Sequence, residues 1–443
     1  MSETHVVVIG GGFAGVAAAA RLHASRVRVT LLEAREQLGG RARTDLLDDI
    51  AVDTGAQVIA SSFTHTRRLL ERDGAHALRV TSGRDVYVRD ERRLPVQFGS
   101  IRSLLAFSGL GAMEKLKLAG TLLPLLARHR SHLDASAARL PASLDRQSAR
   151  EYVSAHVGAH VADVLVEPPL NSFYAAHGHE ASLGFFLGLG HYGSDSDVLA
   201  PVGGWTRQLE RALAGVSRET GMVVDALQLD GERVTVHSNG KGWSADGAVV
   251  ATGPRTARVL LHSLHGVPPE LVTWLDALEL RRTITLALAV DAALDRGAFG
   301  MFADPDPTRV VSACAVYGAK LGSEAPSAAR GDVVLAWPNP EHAARLSDAP
   351  ADDVVSAMLP DIEELLPEIR GRVRRARVYR MDEGTPLARP GFGADRRRAN
   401  ALASSVDAPI ALAGDYLTMP LIEGAVMSGE SAADRLLTRL ARG

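Results

Sequence analysis

Short, uninterrupted apolar runs rich in β-branched residues, each leading into a turn, alternate along this chain with longer segments of helical periodicity. The first run, residues 6–9, has no polar face, which is the pattern of a strand buried on both sides in a parallel sheet. An alanine-rich segment after Gly15 reads as helix, and residues 27–32 read as a second strand. Downstream the pattern predicts a helix over 64–72, a hairpin over 86–96, and leucine- and alanine-rich helices from about 101 to 150. A further helix over 151–166 should stop at Pro168-Pro169. Then come a helix over 206–214, a strand over 222–229, a hairpin over 234–243 and a strand at 248–251. Strands at 281–289, 310–316 and 333–337 follow, with an amphipathic helix over 352–366. A strand at 410–413 and a helix running to Leu440 complete the expectation of an α/β chain.

Between the first strand and its helix stands Gly10-x-Gly12-x-x-Gly15. A dinucleotide site needs glycine three times there: for the tight turn, for backbone approach to a pyrophosphate, and for close packing of helix on strand. The helix start, at Phe13 and Ala14, offers unpaired N–H groups and the positive end of a dipole to phosphate. The second strand ends at Glu33, eighteen residues beyond Gly15, where a carboxylate accepts the ribose hydroxyls of an adenosine and disfavours a 2′-phosphate. A lone GxGxxG says little. Residues 188–193, GLGHYG, fit it too, but an Asp/Ser-rich loop follows there. Only the first match has strand, turn, helix, second strand and acid in order.

After the second strand comes Leu38-Gly39-Gly40-Arg41-Ala42-Arg43-Thr44, with Asp53-Thr54-Gly55-Ala56-Gln57 behind it. Near the other end run residues 409–416, PIALAGDY, and then Glu423-Gly424-Ala425-Val426 with Ser428-Gly429. These stretches resemble the FAD-binding signature of the flavin-containing amine oxidase superfamily, in its protoporphyrinogen oxidase and phytoene desaturase-like branch. The resemblance covers essentially the whole chain. It implies a Rossmann-type FAD-binding domain of the GR2 type made of residues 1–75, 200–265 and 393–443. A discontinuous, mixed α+β substrate domain would take 76–199 and 266–392, with a helical insertion at about 101–166. It implies non-covalent FAD, since the only cysteine, Cys314, lies outside the matched motifs. It puts Arg41 on the pyrophosphate, with Gly40, Gly55, Ala56 and Gln57 in the same cofactor site. The backbone of Val224 would meet the adenine, or that of Ala226 if the count back from residues 251–254 contains a gap of two. Gly414, Asp415, Glu423 and the backbone of Ala425 and Val426 would meet the ribityl chain and the isoalloxazine. The chemistry agrees: a guanidinium forks onto phosphate oxygens, and a helix N-terminus favours a reduced, anionic flavin.

Amine oxidases of that superfamily place a lysine near the flavin and an aromatic residue just before the Glu-Gly-Ala motif. Here the matching strand reads Arg281-Arg282-Thr283-Ile284-Thr285, the lysines stand elsewhere, at 115, 117, 241 and 320, and residues 419–422 are MPLI. An apolar wall of Met419 and Leu421 favours dehydrogenation of a hydrophobic, conjugated substrate by hydride transfer to flavin N5. The alternatives are an amine or amino-acid oxidase with an atypical cage and a flavin-dependent isomerase acting on a polyene. Phe173, Tyr174, Tyr192 and Tyr317 are further candidates for the pocket wall, and each also reads as core. His177, Tyr174 and Gln57 are the candidate catalytic groups, His177 because an imidazole titrates near neutral pH.

Composition narrows the remainder. A net charge of −3 gives no electrostatic case for nucleic acid, and no His/Cys cluster argues for a metal. One cysteine, no basic leader before the first strand and no long uncharged apolar run lead to the expectation of a cytoplasmic protein. Leu104, Leu105, Phe107, Leu110, Met113, Leu116, Leu118, Leu122, Leu123, Leu125 and Leu126, with Lys115, Lys117, Arg128 and Arg130 between or after them, leave two readings of the helical insertion open: a core-facing helix pair, or a peripheral contact with a membrane. The arginine runs at 372–377 and 396–398 read as solvated faces.

Overall fold

Val6 and Val8 point to one face of the first strand, His5–Ile9, and Val7 and Ile9 to the other, and all four are buried. The computed structural model describes residues 4–442 apart from 75, 82–83, 91, 99, 195, 293, 296, 323–324 and 326–330. In it this strand lies at the centre of a five-stranded parallel sheet, in the order Ser217–Glu219, Arg28–Leu32, His5–Ile9, Gly247–Val250, Ile410–Leu412. One face is covered by helices Phe13–Ala24 and Ile422–Leu440, which pack so closely that a Cβ on Gly429 would lie 2.0 Å from the Ala14 carbonyl oxygen. The other face carries the antiparallel meander Val224–Asp230, Arg233–Ser238, Lys241–Ala245 and helices Pro254–Leu261 and Pro269–Ala277. The chain thus brings its first, middle and last segments into one sheet.

A seven-stranded mixed sheet stands beside it, ordered Val373–Pro386, Leu280–Val290, Asp332–Pro338, Val311–Val316, Ala298–Ala303, Arg84–Arg89, Arg92–Val96. Helix Ala351–Leu365 buries Val354, Met358, Ile362 and Leu365 against Leu286, Leu288 and Val334 on one face. The opposite face, through Ala287, Ala289, Val333 and Leu335, meets Leu47 and Val52 of the hairpin Thr44–Leu47/Ile50–Asp53. Helices Ile101–Ala106, Ala112–His129, Glu167–Tyr174 and Leu183–Gly193 stack at the end of this sheet near Phe302. No helix among the described residues is long and apolar enough to cross a membrane.

Two expectations change. Pro168-Pro169 does not end helical structure but opens helix Glu167–Tyr174, because proline at the first turn lacks only an N–H that would be unpaired anyway. Residues 188–193 lie inside helix Leu183–Gly193, so their GxGxxG spacing carries no turn, as expected of a chance match. Arg396 is not solvated: it is 1% exposed, paired with Asp395 at 2.6 Å and stacked over Trp274. The other run behaves as expected, with Arg374 and Arg375 near Asp48 and Arg377 on Asp45 at the surface of strand Val373–Pro386.

Candidate functional site

The glycines of the first turn each answer a steric demand. Gly10 adopts φ +107°, and a Cβ on Gly15 would stand 1.8 Å from the Gly10 carbonyl oxygen. A Cβ on Gly12 would meet nothing within 4 Å, so the backbone there borders open space. Gly12 also caps helix Phe13–Ala24 without a side-chain oxygen, and Val16 N–H is the donor that returns to it. The N–H groups of Phe13, Ala14 and Gly15 therefore face that space unpaired within the helix. Glu33 is buried at its edge, accepting from Gly11 N at 2.6 Å and Arg35 N at 2.9 Å, with lone pairs to spare. Val224 is buried in the cluster that holds Ile9 and Leu32, whereas Ala226 is exposed. The ungapped count thus lands on the residue beside the sheet.

Gly39 N donates to Gly11 O at 2.9 Å, which fastens the turn Gly40–Ala42 onto the glycine loop. Arg41 reaches from that turn to Asp415, Nη2 to Oδ1 at 2.5 Å, and to the Gly384 carbonyl at 3.0 Å. Its side chain remains about two-fifths exposed, so a phosphate can approach it. Asp415 follows Gly414, whose N–H donates to Ser428 Oγ at 3.0 Å. Helix Ile422–Leu440 starts just beyond and has no side-chain cap. Two expectations are corrected at this helix. Ala425 N–H already donates to Leu421 O at 3.0 Å, so the unpaired donors belong to the residues before it, Ile422 to Gly424. The Glu423 carboxylate does not face the glycine loop. It caps helix Thr64–Leu70, accepting from His65 N, Thr66 N and Thr66 Oγ1 at 2.7–2.9 Å.

Behind Gly55, whose Cβ would meet the Arg41 carbonyl oxygen at 1.9 Å, lies a buried ionic cluster that periodicity did not reveal. Lys320 is 1% exposed and donates to Asp53 Oδ2 at 2.6 Å, Gln57 Oε1 at 3.0 Å and Tyr317 Oη at 3.1 Å. All three ammonium protons are used. Burial pulls its pKa below the ordinary lysine value, and Asp53 opposes that. Asp53 Oδ1 also accepts from Thr44 Oγ1 and Trp205 N. Gln57 Nε2 donates to the carbonyls of Asp53 and Gly55, both at 2.7 Å. So one lysine does reach the flavin-like motif, from helix Tyr317–Leu321 beside the larger sheet and not from the strand where it was sought. Tyr317 belongs to this cluster, with its hydroxyl accepting from Asp53 N at 2.8 Å.

The other candidates separate. Phe173 and Tyr174 line a cavity of about 250 Å³ under helix Ala112–His129, together with Leu118, Leu122, Phe186 and Leu187. The Tyr174 hydroxyl is raised above its ordinary pKa by burial. Met419 is fully buried on the reverse of helix Leu183–Gly193, where Gly188 leaves room for its thioether, and Leu421 is buried in the same cluster. One helix thus separates the cavity from the segment before Ile422. Tyr192 packs edge-on to Phe63 and accepts from Ala135 N. His177 is not a free base. Its Nε2 is 3.0 Å from Glu341, and Glu167 also faces the ring; Glu167 raises its pKa, burial opposes, and Glu341 adds to the rise. Cys314 is buried among Leu286, Val334 and Met358, with its thiol pushed up to about 12 by burial. A larger hollow of about 760 Å³ lies at the far end of helix Phe13–Ala24, where His23 and Arg211 sit in last helical turns and offset carbonyl ends.

The open space at Gly12, the two uncapped helix starts and the half-exposed guanidinium between them fit a flavin dinucleotide. Comparisons with known proteins agree. The profile of a family described as flavin containing amine oxidoreductase matches residues 13–437. The chain is 49% identical over 55 residues to polyamine oxidase 5 of Oryza sativa subsp. japonica, 12% of this chain and 11% of that one. It is 39% identical over 80 residues to the flavin-containing amine oxidase B of Bos taurus, 18% of this chain and 15% of that one. Two solved structures match over nearly the full length. Cyclohexylamine oxidase from Brevibacterium oxydans has a TM-score of 0.73 at 16% identity, covering 100% of both chains. A protein from Exiguobacterium sp., provisionally assigned as a protoporphyrinogen oxidase, has a TM-score of 0.72 at 20% identity, covering 99% of this chain and 100% of that one. At such identities the likeness is one of fold.

Proposed function

Because this chain belongs to the flavin containing amine oxidoreductase family, it is an FAD-dependent oxidoreductase, and we propose that it dehydrogenates a hydrophobic, conjugated substrate. Bound FAD supplies the hydride-accepting chemistry. The chain's part is to hold and orient. The donors of Phe13 to Gly15 and Arg41 would bind the pyrophosphate, Glu33 the adenosine ribose, and Asp415 the ribityl chain. The start of helix Ile422–Leu440 would place positive partial charge at the flavin ring, favouring its reduced form. Lys320 holds Asp53 and Gln57 still behind that face.

The observation that supports the substrate class is the cavity under helix Ala112–His129, taken here as the place where an apolar body is received, one helix removed from the start of helix Ile422–Leu440. Leucine and phenylalanine dominate its wall, and among the described residues no carboxylate lines it. Burying an apolar body there gains about 25 cal/mol per Å², whereas an ammonium would lose water without gaining a partner. The test is anaerobic mixing of the flavoprotein with a porphyrinogen, a polyene, benzylamine and putrescine. Bleaching of the flavin band by the first two and not by the amines is expected. Rapid bleaching by either amine restores amine oxidation, and product without net bleaching means isomerisation.

The same helices support a second proposal, contact with an anionic lipid surface. Leu105, Met113 and Leu116 are 55%, 63% and 67% exposed, with Lys117 exposed beside them. Glu114, the acid among them, is held by Gly111 N and His160. Apolar side chains interleaved with free cations match an interface between headgroups and acyl chains.

A further inference from the structure

The cavity under helix Ala112–His129 has two polar side chains in its wall, and neither has a partner among the described residues. Lys115 is half-buried and makes no ion pair, since its neighbour Glu114 is already engaged by Gly111 N and His160. Tyr174 stands edge-on to Phe185, ring centroids 4.9 Å apart, and its hydroxyl makes no hydrogen bond. Both side chains are partly buried and have donors to spare, so an occupant with matching acceptors would gain hydrogen bonds that an all-apolar one would not. We propose that the cavity binds an amphiphilic acid: an apolar body among the leucines, a carboxylate-type end on Lys115, and an oxygen function along the body on the Tyr174 hydroxyl. This rests on the apolar-substrate reading and adds the two polar features that select among apolar molecules. The lysine also works against an amine end, by repulsion of like charge.

Calorimetric titration of the holoenzyme with decanoate, decanol and decylamine tests it without calling on turnover. Decanoate should bind about tenfold more tightly than decanol, the usual worth of a charge-assisted contact, and decylamine most weakly. Lys115→Met should bring decanoate down to the affinity of decanol and leave decanol unchanged. Among decanoates hydroxylated at successive carbons, at least one should bind more tightly than decanoate itself, and Tyr174→Phe should abolish that gain. Equal affinity for decanoate and decanol, or a carboxylate preference that survives Lys115→Met, overturns the head-group assignment while the apolar cavity stands. Absence of any hydroxyl gain, or a gain that survives Tyr174→Phe, overturns the tyrosine's part. No binding by any of the chains overturns the proposal and the apolar-substrate reading together.

Discussion

Arg41 and Lys320 are both cations tied to an aspartate, yet their environments assign them opposite costs of removal. Arg41 is partly exposed, and in the proposed cofactor site it would meet a phosphate. Its change to alanine should leave the fold intact and weaken FAD retention by about tenfold or more, the loss of one charge-assisted contact of roughly 1.5–3 kcal/mol; fluorescence of released flavin measures it. Lys320 is enclosed, so Lys320→Met leaves the Asp53 carboxylate buried without its cation. That should cost about 3–5 kcal/mol in denaturant unfolding. Adding Asp53→Leu should return part of the loss, since removing both charges avoids the unpaired one. At this scale the sequence was legible wherever a residue obeys a local rule. Gly10, Gly15 and Glu33 answer to turn, packing and strand-end geometry, and all three stand where the spacing put them. Lys320 was not legible, because its partner Asp53 is 267 positions away and nothing near either residue announces the other.

Elements were read well where one face is buried and poorly where a residue serves two structural roles. The strand Leu280–Val290 and helix Ala351–Leu365 fall within two residues of their expected ends, since period and burial coincide along them. Local sequence does not distinguish a stop from a start at Pro168, because proline ends a helix and begins one with equal ease. The capping role of Glu423 is not legible in sequence, because a cap across space, from one helix to the start of another, leaves no local trace. His177 joins the loop after helix Glu167–Tyr174 to Glu341 of helix Pro340–Leu346. Its folded pKa is raised above the unfolded value of about 6.5. The stabilisation is therefore complete below that value and fades as pH rises through the folded pKa. Glu341→Gln should lower the melting temperature at pH 5.5 and have little effect at pH 9, while His177→Gln should leave flavin reduction intact. The helix pair over the cavity is tested separately. Met113→Ser with Leu116→Ser should reduce co-sedimentation with phosphatidylserine vesicles severalfold, at the scale of about 0.8 kcal/mol for each buried methylene, with flavin content unchanged.

Across the whole molecule, the parallel sheet takes its strands from residues 5–9, 28–32, 217–219, 247–250 and 410–412, so the cofactor region is assembled from both ends and the middle. The two cofactor motifs are legible because each is local; the resemblance of the entire chain puts both at one cofactor, but the direct pairing of Arg41 with Asp415 is not legible, since nothing near either residue announces the other. The face of the larger sheet that receives Tyr317 and Lys320 was not legible, for a strand's sequence says which side is apolar and not what covers it. The Arg41–Asp415 contact joins residues 374 positions apart, and helix Ile422–Leu440 supplies the second positive helix end. During synthesis, at roughly 5–20 residues per second, the glycine loop leaves the ribosome long before the segment that completes its partner surface exists. If these segments hold the flavin as proposed, its capture waits for residues 410–440. A chain that stops short of residue 410 would then keep the glycine loop and Arg41 and lack the second helix start, so it should hold FAD more weakly than the full chain.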